Sequence, residues 1–272
     1  MKSQFNLSDY PLWTALVTPF DAENQVDFDA LTALVRDQEQ QQIVEFVCQL
    51  APSVPLMIAV GGSNLEQQSQ WVRFCNTQPI HALLLGSPIY AKPGKVGLAH
   101  WFSTLLDESH NPCMLYNVPG RSAVAIAPEL LGELACHPNL WALKEASGDI
   151  ATFEAFRQAA PDVAIYSGDD GLMPYFAQAG ATGLVSVAAN AWPQQTAEFV
   201  RRSLNGTSPN LFTIWSEAAN SLFAVANPIP VKILMHLQGK LTSPNLRPPL
   251  THLELTHTDA ITRANETILS WN

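Results

Sequence analysis

Seven short apolar runs punctuate this chain, and their spacing constrains the fold more than any other feature. They are LWTALVTPF (12–20), PLMIAVGG (55–62), HALLLGSP (81–88), PCMLYNVPG (112–120), LWALKEASG (140–148), VAIYSGDDG (163–171) and GLVSVAANA (183–191). Each runs into Gly, Pro, Asn, Asp or Ser, the residues that stop a strand. Near-continuous apolar runs of this length read as strands covered on both faces. Helical spacing fills the intervals. APELLGELA opens on Pro128 near a first turn and places Leu130, Leu131 and Leu134 on one side, while DGLMPYFAQAG closes on a C-capping Gly180. Strand alternating with helix specifies an α/β fold with a parallel sheet.

An open doubly wound sheet and a (β/α)8 TIM barrel both satisfy that order. The chain contains neither GxGxxG nor GxxxxGK[ST], so the usual nucleotide-binding versions of the open sheet are not indicated. Polar residues instead gather at the ends of many different strands: Thr18, Ser87, Tyr90, Tyr116, Asn117, Lys144, Ser167, Asp169 and Asn190. Only a barrel brings all its strand ends to one mouth. The expectation is a TIM barrel over residues 1–207 and a helical extension over 208–272, where FTIWSEAANSLFAV and NPIPVKILMHLQGK carry helical patterns. One interval breaks the rhythm. Later strand starts are 20 to 31 residues apart, whereas Leu12 and Pro55 are 43 apart. Within it DFDALTALVRDQEQQ runs straight into QIVEFVCQLA, helix pattern against helix pattern. Strand two of a barrel is missing there, between Val35 and Ile43. A chain break is expected between about Asp37 and Ile43, because a barrel cannot close across an absent strand.

With 272 residues, 47% hydrophobic and 14% charged, the chain can bury a large core. Its net charge of -10 and lack of a basic run argue against nucleic acid or an anionic membrane as partner. No apolar stretch reaches the ~18 residues of a membrane span, and MKSQFNLSDYPLW has no secretory apolar core, so a cytoplasmic location is expected. Cys48, Cys75, Cys113 and Cys136 form no CxxC pair, so neither metal nor disulfide is expected.

Lys144 is the anomaly, an ammonium group at the end of a buried strand. Burial forces such a group to pair or to give up its proton. Glu145 is a poor partner, because adjacent strand residues face opposite ways. If Lys144 faces the barrel interior, it is either paired with a more distant acid or serves as a nucleophilic amine that forms a Schiff base with a carbonyl substrate. Tyr116, at the previous strand end, is either a rim aromatic or a proton shuttle. Arg121, just beyond it, can clamp a carboxylate or form a surface ion pair. Asp169 or Asp170 reads as the N-cap of the following helix.

The segments ALVTPF, LYNVPGR, KEASGD, SGDD, VSVAAN and NPIPVK appear in order across nearly the whole chain. Together they resemble the dihydrodipicolinate synthase family, of the pyruvate-dependent class I aldolase superfamily that also contains N-acetylneuraminate lyase. The resemblance implies a TIM barrel with a helical extension, assembled as a homotetramer (a dimer of dimers). It implies a cofactor-free covalent imine of pyruvate on Lys144, a proton relay through Tyr116, and Arg121 binding the carboxylate of L-aspartate 4-semialdehyde. SPIYAKPG matches the segment whose tyrosine crosses a dimer interface, which gives that role to Tyr90. Val185 and Gly168 would line the pyruvate pocket, and the product would be 4-hydroxy-tetrahydrodipicolinate for lysine and diaminopimelate synthesis. Two features depart from the family. Its Gly-[ST]-Thr-Gly-Glu loop after strand two is absent, at the place of the missing strand. At its lysine-effector site Asn64 matches, but Gln68 stands where a Glu is expected and Ile89 replaces an aromatic. The alternatives are another pyruvate-dependent aldolase, acting on N-acetylneuraminate or a 2-keto-3-deoxy sugar acid, and a catalytically dead keto-acid-binding barrel.

Overall fold

The structure, a computed structural model, describes residues 5–18, 20–21, 40–206 and 210–271. All seven apolar runs contain a strand: β1 (Leu12–Thr14), β2 (Met57–Val60), β3 (Ala82–Gly86), β4 (Cys113–Asn117), β5 (Leu140–Glu145), β6 (Ala164–Ser167) and β7 (Gly183–Ser186). The fold is α/β, as expected, with parallel strand pairing. The strands are shorter than the runs, because each run continues past its strand into a loop. From Gln40 the chain is helical to Gln49. The strand and the chain break expected just before it otherwise fall outside the described residues.

The chain forms two compact units. The first holds residues 5–11, 50–168 and 179–183. Its parallel sheet has the order β2-β3-β4-β5-β6. Leu83, Leu85, Met114, Leu115, Ala142 and Leu143 are completely buried in it, as strands covered on both faces require. The helices of this unit bury apolar faces and have well-specified ends. Asn64 caps the Leu65–Cys75 helix by accepting from Gln67 N at 3.0 Å. Pro128 opens the Pro128–Leu134 helix, which buries Leu130, Leu131 and Leu134 as expected. After β5 the turn needs Gly148, whose φ of 75° is left-handed, and Asp149 then caps the Ile150–Ala159 helix. The Thr152 hydroxyl, then the Ala151 and Thr152 N–H groups, hold the Asp149 carboxyl below its usual range.

The second unit holds residues 12–21, 40–49, 169–178, 184–206 and 210–271. Here β1 pairs with β7, Leu12 opposite Leu184 and Thr14 opposite Ser186. The expected C-terminal helices are Leu211–Ser221 and Ile229–Leu237, and a further one spans Asp259–Leu269. Their core is aromatic. Trp215 stacks on Phe199 at 4.3 Å and meets Trp271 edge-on at 5.4 Å. Trp192 Nε1 donates to Asn265 Oδ1 at 2.9 Å, so its polar end is satisfied inside that core.

Within each unit, the strand next to the interrupted interval is the least buried. β4 and β7 are buried along almost their whole length, whereas Ala59 of β2 and Thr14 of β1 are exposed. A parallel strand is normally sheltered on both faces, so these two behave as edges.

Candidate active site

The first unit gathers most of the expected site residues. Tyr116 and Lys144 stand opposite each other in the register of β4 and β5. Lys144 is only 6% exposed, and its Nζ lies 4.1 Å from the centroid of the Tyr116 ring, over its face. Such a contact holds the amine at a fixed place. The lysine at the end of a buried strand is thus a group aimed along one sheet face at the aromatic of the neighbouring strand.

Gly168 sits behind this amine. A β-carbon at position 168 would lie 3.0 Å from Lys144 Cε, 2.5 Å from Ala146 Cβ and 3.2 Å from Glu145 O. Gly168 N donates to Glu145 O at 2.6 Å, which draws the two segments together. The glycine is required by closeness, because any side chain there would press on Lys144 and Ala146.

Arg121 lies at the end of the short Pro119–Ser122 helix that follows β4, and is exposed. Tyr90 is 93% exposed, with a left-handed φ of 69° in the loop after β3. Asn64, the expected effector residue, spends its side-chain oxygen on the helix cap described above. Val185 belongs to the second unit, buried on β7 opposite Trp13.

Several buried polar residues were not singled out from the sequence in their observed roles. Glu145 and Asn117 are both completely buried, and Asn117 Nδ2 donates to Glu145 Oε2 at 2.6 Å. Asp170, expected to serve the helix after it, reaches the start of a different one. It accepts from the Ser186 hydroxyl, from Val187 N at 3.0 Å and from Ala188 N at 3.4 Å. Asn190 ties down the segment after β1, accepting from Val17 N at 3.1 Å and donating to Ala15 O at 2.8 Å. Lys232 of NPIPVK is 1% exposed and donates to Thr18 O at 2.5 Å and Asn245 O at 2.6 Å. Each of these pairings except Glu145–Asn117 lies within the second unit. Among the described residues no group of three or more His, Cys, Asp or Glu side chains is arranged to hold a metal ion.

The chain is similar to known proteins along nearly its whole length. Residues 37–267 match the Dihydrodipicolinate synthetase family. The chain is 42% identical to the 4-hydroxy-tetrahydrodipicolinate synthase of Francisella philomiragia, over 96% of each chain. It is 37% identical to the enzyme of the same name from the Wolbachia of Culex pipiens, covering 100% of this chain and 98% of the relative. That alignment runs over 294 positions against 272 residues here, so about 22 of its positions have no counterpart in this chain. Among solved structures, a chloride-inhibited dihydrodipicolinate synthase from Acinetobacter baumannii, in complex with pyruvate, superposes with a TM-score of 0.86 at 26% identity, over 94% of this chain and 97% of the other.

Proposed function

This chain belongs to the dihydrodipicolinate synthetase family, and we propose that it acts as a 4-hydroxy-tetrahydrodipicolinate synthase. It condenses pyruvate with L-aspartate 4-semialdehyde in lysine and diaminopimelate biosynthesis. The observation that carries the reading is the buried Lys144 amine held 4.1 Å from the Tyr116 ring centroid at two paired strand ends. The deprotonated Nζ adds to the pyruvate carbonyl, and the carbinolamine expels water to leave an imine. Loss of a methyl proton gives an enamine carbon, which attacks the aldehyde of the second substrate. Tyr116, whose ring lies against the amine, is assigned the passing of protons in these steps. Arg121, exposed on the loop beyond β4, is suited to the carboxylate of the semialdehyde. Gly168 and Val185 are assigned to the pyruvate pocket, and Lys144 itself supplies the covalent chemistry without a bound cofactor.

We read the architecture as a TIM barrel with a helical extension, shortened by one strand and its loop. The exposure of Thr14 on β1 and Ala59 on β2 and the long interval between the two strands support this placement of the gap, and the shortfall of about 22 aligned positions is in keeping with its size. Assembly into a homotetramer accords with Tyr90, whose side chain is 93% exposed and so available to a neighbouring subunit. No helix among the described residues is long and apolar enough to cross a membrane.

Borohydride reduction in the presence of pyruvate tests the mechanism. The expected result is a stable adduct on the peptide containing Lys144, and an active protein without that adduct overturns it. The shortened segment favours one second reading, a barrel that binds a keto acid without turning it over. Thermal stabilisation by pyruvate with neither adduct nor turnover supports that reading instead. Steady-state comparison of aspartate semialdehyde with sugar-acid substrates separates the synthase from a lyase.

A further inference from the structure

Tyr116 and Lys144 stand in register on β4 and β5, and so do the next residues along, Asn117 and Glu145. Side chains alternate between faces of a strand, so this second pair lies on the opposite face of the sheet from the first. Both members are 0% exposed. Their hydrogen bonds form a chain with backbone N–H groups at each end. Ser147 N donates to Glu145 Oε1 at 2.6 Å, Asn117 Nδ2 donates to Glu145 Oε2 at 2.6 Å, and Ile126 N donates to Asn117 Oδ1 at 2.9 Å. The strand ends are also joined through the backbone, with Ala146 N donating to Asn117 O at 2.9 Å.

A carboxyl group buried against neutral donors is a costly way to fill space, and an apolar pair of the same volume serves stability as well or better. What the polar chain supplies is a fixed distance. Both terminal donors are amides of the main chain and cannot change role. Glu145 must therefore offer an acceptor to Ser147 N, and Asn117 must offer one to Ile126 N. The middle link then needs one donor and one acceptor. Glu with Asn satisfies this. Gln with Asn sets two donors face to face, and turning either amide only moves the conflict to a backbone N–H. Glu with Asp sets two acceptors face to face wherever both are ionised, and closes the link only by taking up a proton. Gln at 145 with Asp at 117 restores every bond with the middle link reversed.

We propose that Glu145 and Asn117 are positioning residues. Their hydrogen-bond chain on the back of β4 and β5 sets the separation of Tyr116 and Lys144 on the front, and with it the approach of the Lys144 amine to a keto-acid carbonyl. This rests on Lys144 being the imine-forming residue, and it assigns a role to the one buried acid beside that lysine.

The test compares wild type, Glu145→Gln, Asn117→Asp and the double variant, each as the full chain. Folding is followed by circular dichroism, and the rate of borohydride trapping with pyruvate is measured across pyruvate concentrations. Each single variant is expected to trap about 10- to 100-fold more slowly at saturating pyruvate, the size of effect that follows a displacement near 1 Å, with little change in the pyruvate concentration giving half-maximal rate. The double variant is expected to recover to within a few fold of wild type. A general loss of structure does not produce that recovery. Single variants that trap as fast as wild type overturn the proposal, as does a double variant no better than the worse single. If the singles do not fold, the double decides alone: near-wild-type trapping supports the proposal, and a double variant that is unfolded or inert overturns it. Failure of wild type to trap pyruvate removes the imine reading itself, and is distinguishable because it precedes any comparison of variants.

Discussion

Replacing Gly168 by alanine adds a single carbon behind the reactive lysine, and its effect can be worked out contact by contact. The new Cβ would sit 2.5 Å from Ala146 Cβ and 3.0 Å from Lys144 Cε. Carbon atoms rest about 3.5 to 4.0 Å apart, so the overlaps are roughly 1 to 1.5 Å and 0.5 to 1 Å respectively. The backbone has little freedom to retreat, because Gly168 N is bonded to Glu145 O at 2.6 Å. Overpacking of this kind costs about 1 to 3 kcal/mol. That cost falls mainly on the contact with Ala146 Cβ, which cannot swing away, whereas the contact with Lys144 is relieved when its flexible side chain moves, and a displacement of about 1 Å at a reacting group costs on the order of 100-fold in rate. Gly168→Ala is therefore expected to destabilise the protein modestly and to slow pyruvate trapping severely. A second substitution separates the two effects. Ala146→Gly in the same chain removes the 2.5 Å contact and leaves the one at 3.0 Å. Stability should return while trapping stays slow. Urea denaturation and the borohydride trapping rate, measured on the same preparations, provide the readouts. Gly168→Ala with wild-type trapping refutes the reasoning, as does a double variant in which both properties recover together.

Three further outcomes are expected. Arg121→Ala should leave pyruvate trapping nearly intact while kcat/KM for the semialdehyde falls by about 10- to 100-fold, the worth of a charged hydrogen bond; equal damage to both half-reactions would show a structural role. Asp170→Ala strands the Ser186 hydroxyl and two backbone N–H groups, and should cost about 3 kcal/mol or more in urea denaturation, since each of these buried groups left unsatisfied costs about 1 to 3; a loss below about 1 kcal/mol contradicts the bracing role. Burial pushes the Cys113 thiol up to about 12 while Cys136 is exposed, so iodoacetamide near pH 8.5 should label Cys136 and spare Cys113 in the folded protein. The same shift sets a sign for stability. The unfolded thiol loses its proton first, so the contribution is intact below about pH 8 and declines as the pH rises toward the folded value. Rapid labelling of Cys113 in native protein contradicts the burial argument.

The strands were legible because a strand buried on both faces must be apolar throughout, which is a local property of the chain. Their lengths were not. LWTALVTPF reads as one continuous run, yet only Leu12–Thr14 is strand. Beyond it Ala15 N donates to Ser186 O at 2.7 Å, and Val17 N turns to the side chain of Asn190. Hydropathy does not distinguish a segment held by a sheet from one held by an asparagine 173 residues away. The second role of Asp170 was hidden for the same reason. The spacing after GDD fits a cap for the next helix, while the carboxyl also serves the one that begins after β7.

Lys144 could be picked out from its neighbours alone, since an ammonium after Leu140, Trp141, Ala142 and Leu143 conflicts with everything around it. Its partner on the site face followed from the rule that parallel strands present their ends together, which set Tyr116 against it. Alternation also placed Glu145 on the far side of the strand. What alternation lacks is register. Once Asn117 is known to lie opposite Glu145, the same rule that parted Glu145 from Lys144 makes the rear pair the ruler for the front one. A substitution on the face of the sheet that no substrate meets is then expected to alter the chemistry on the face that one does.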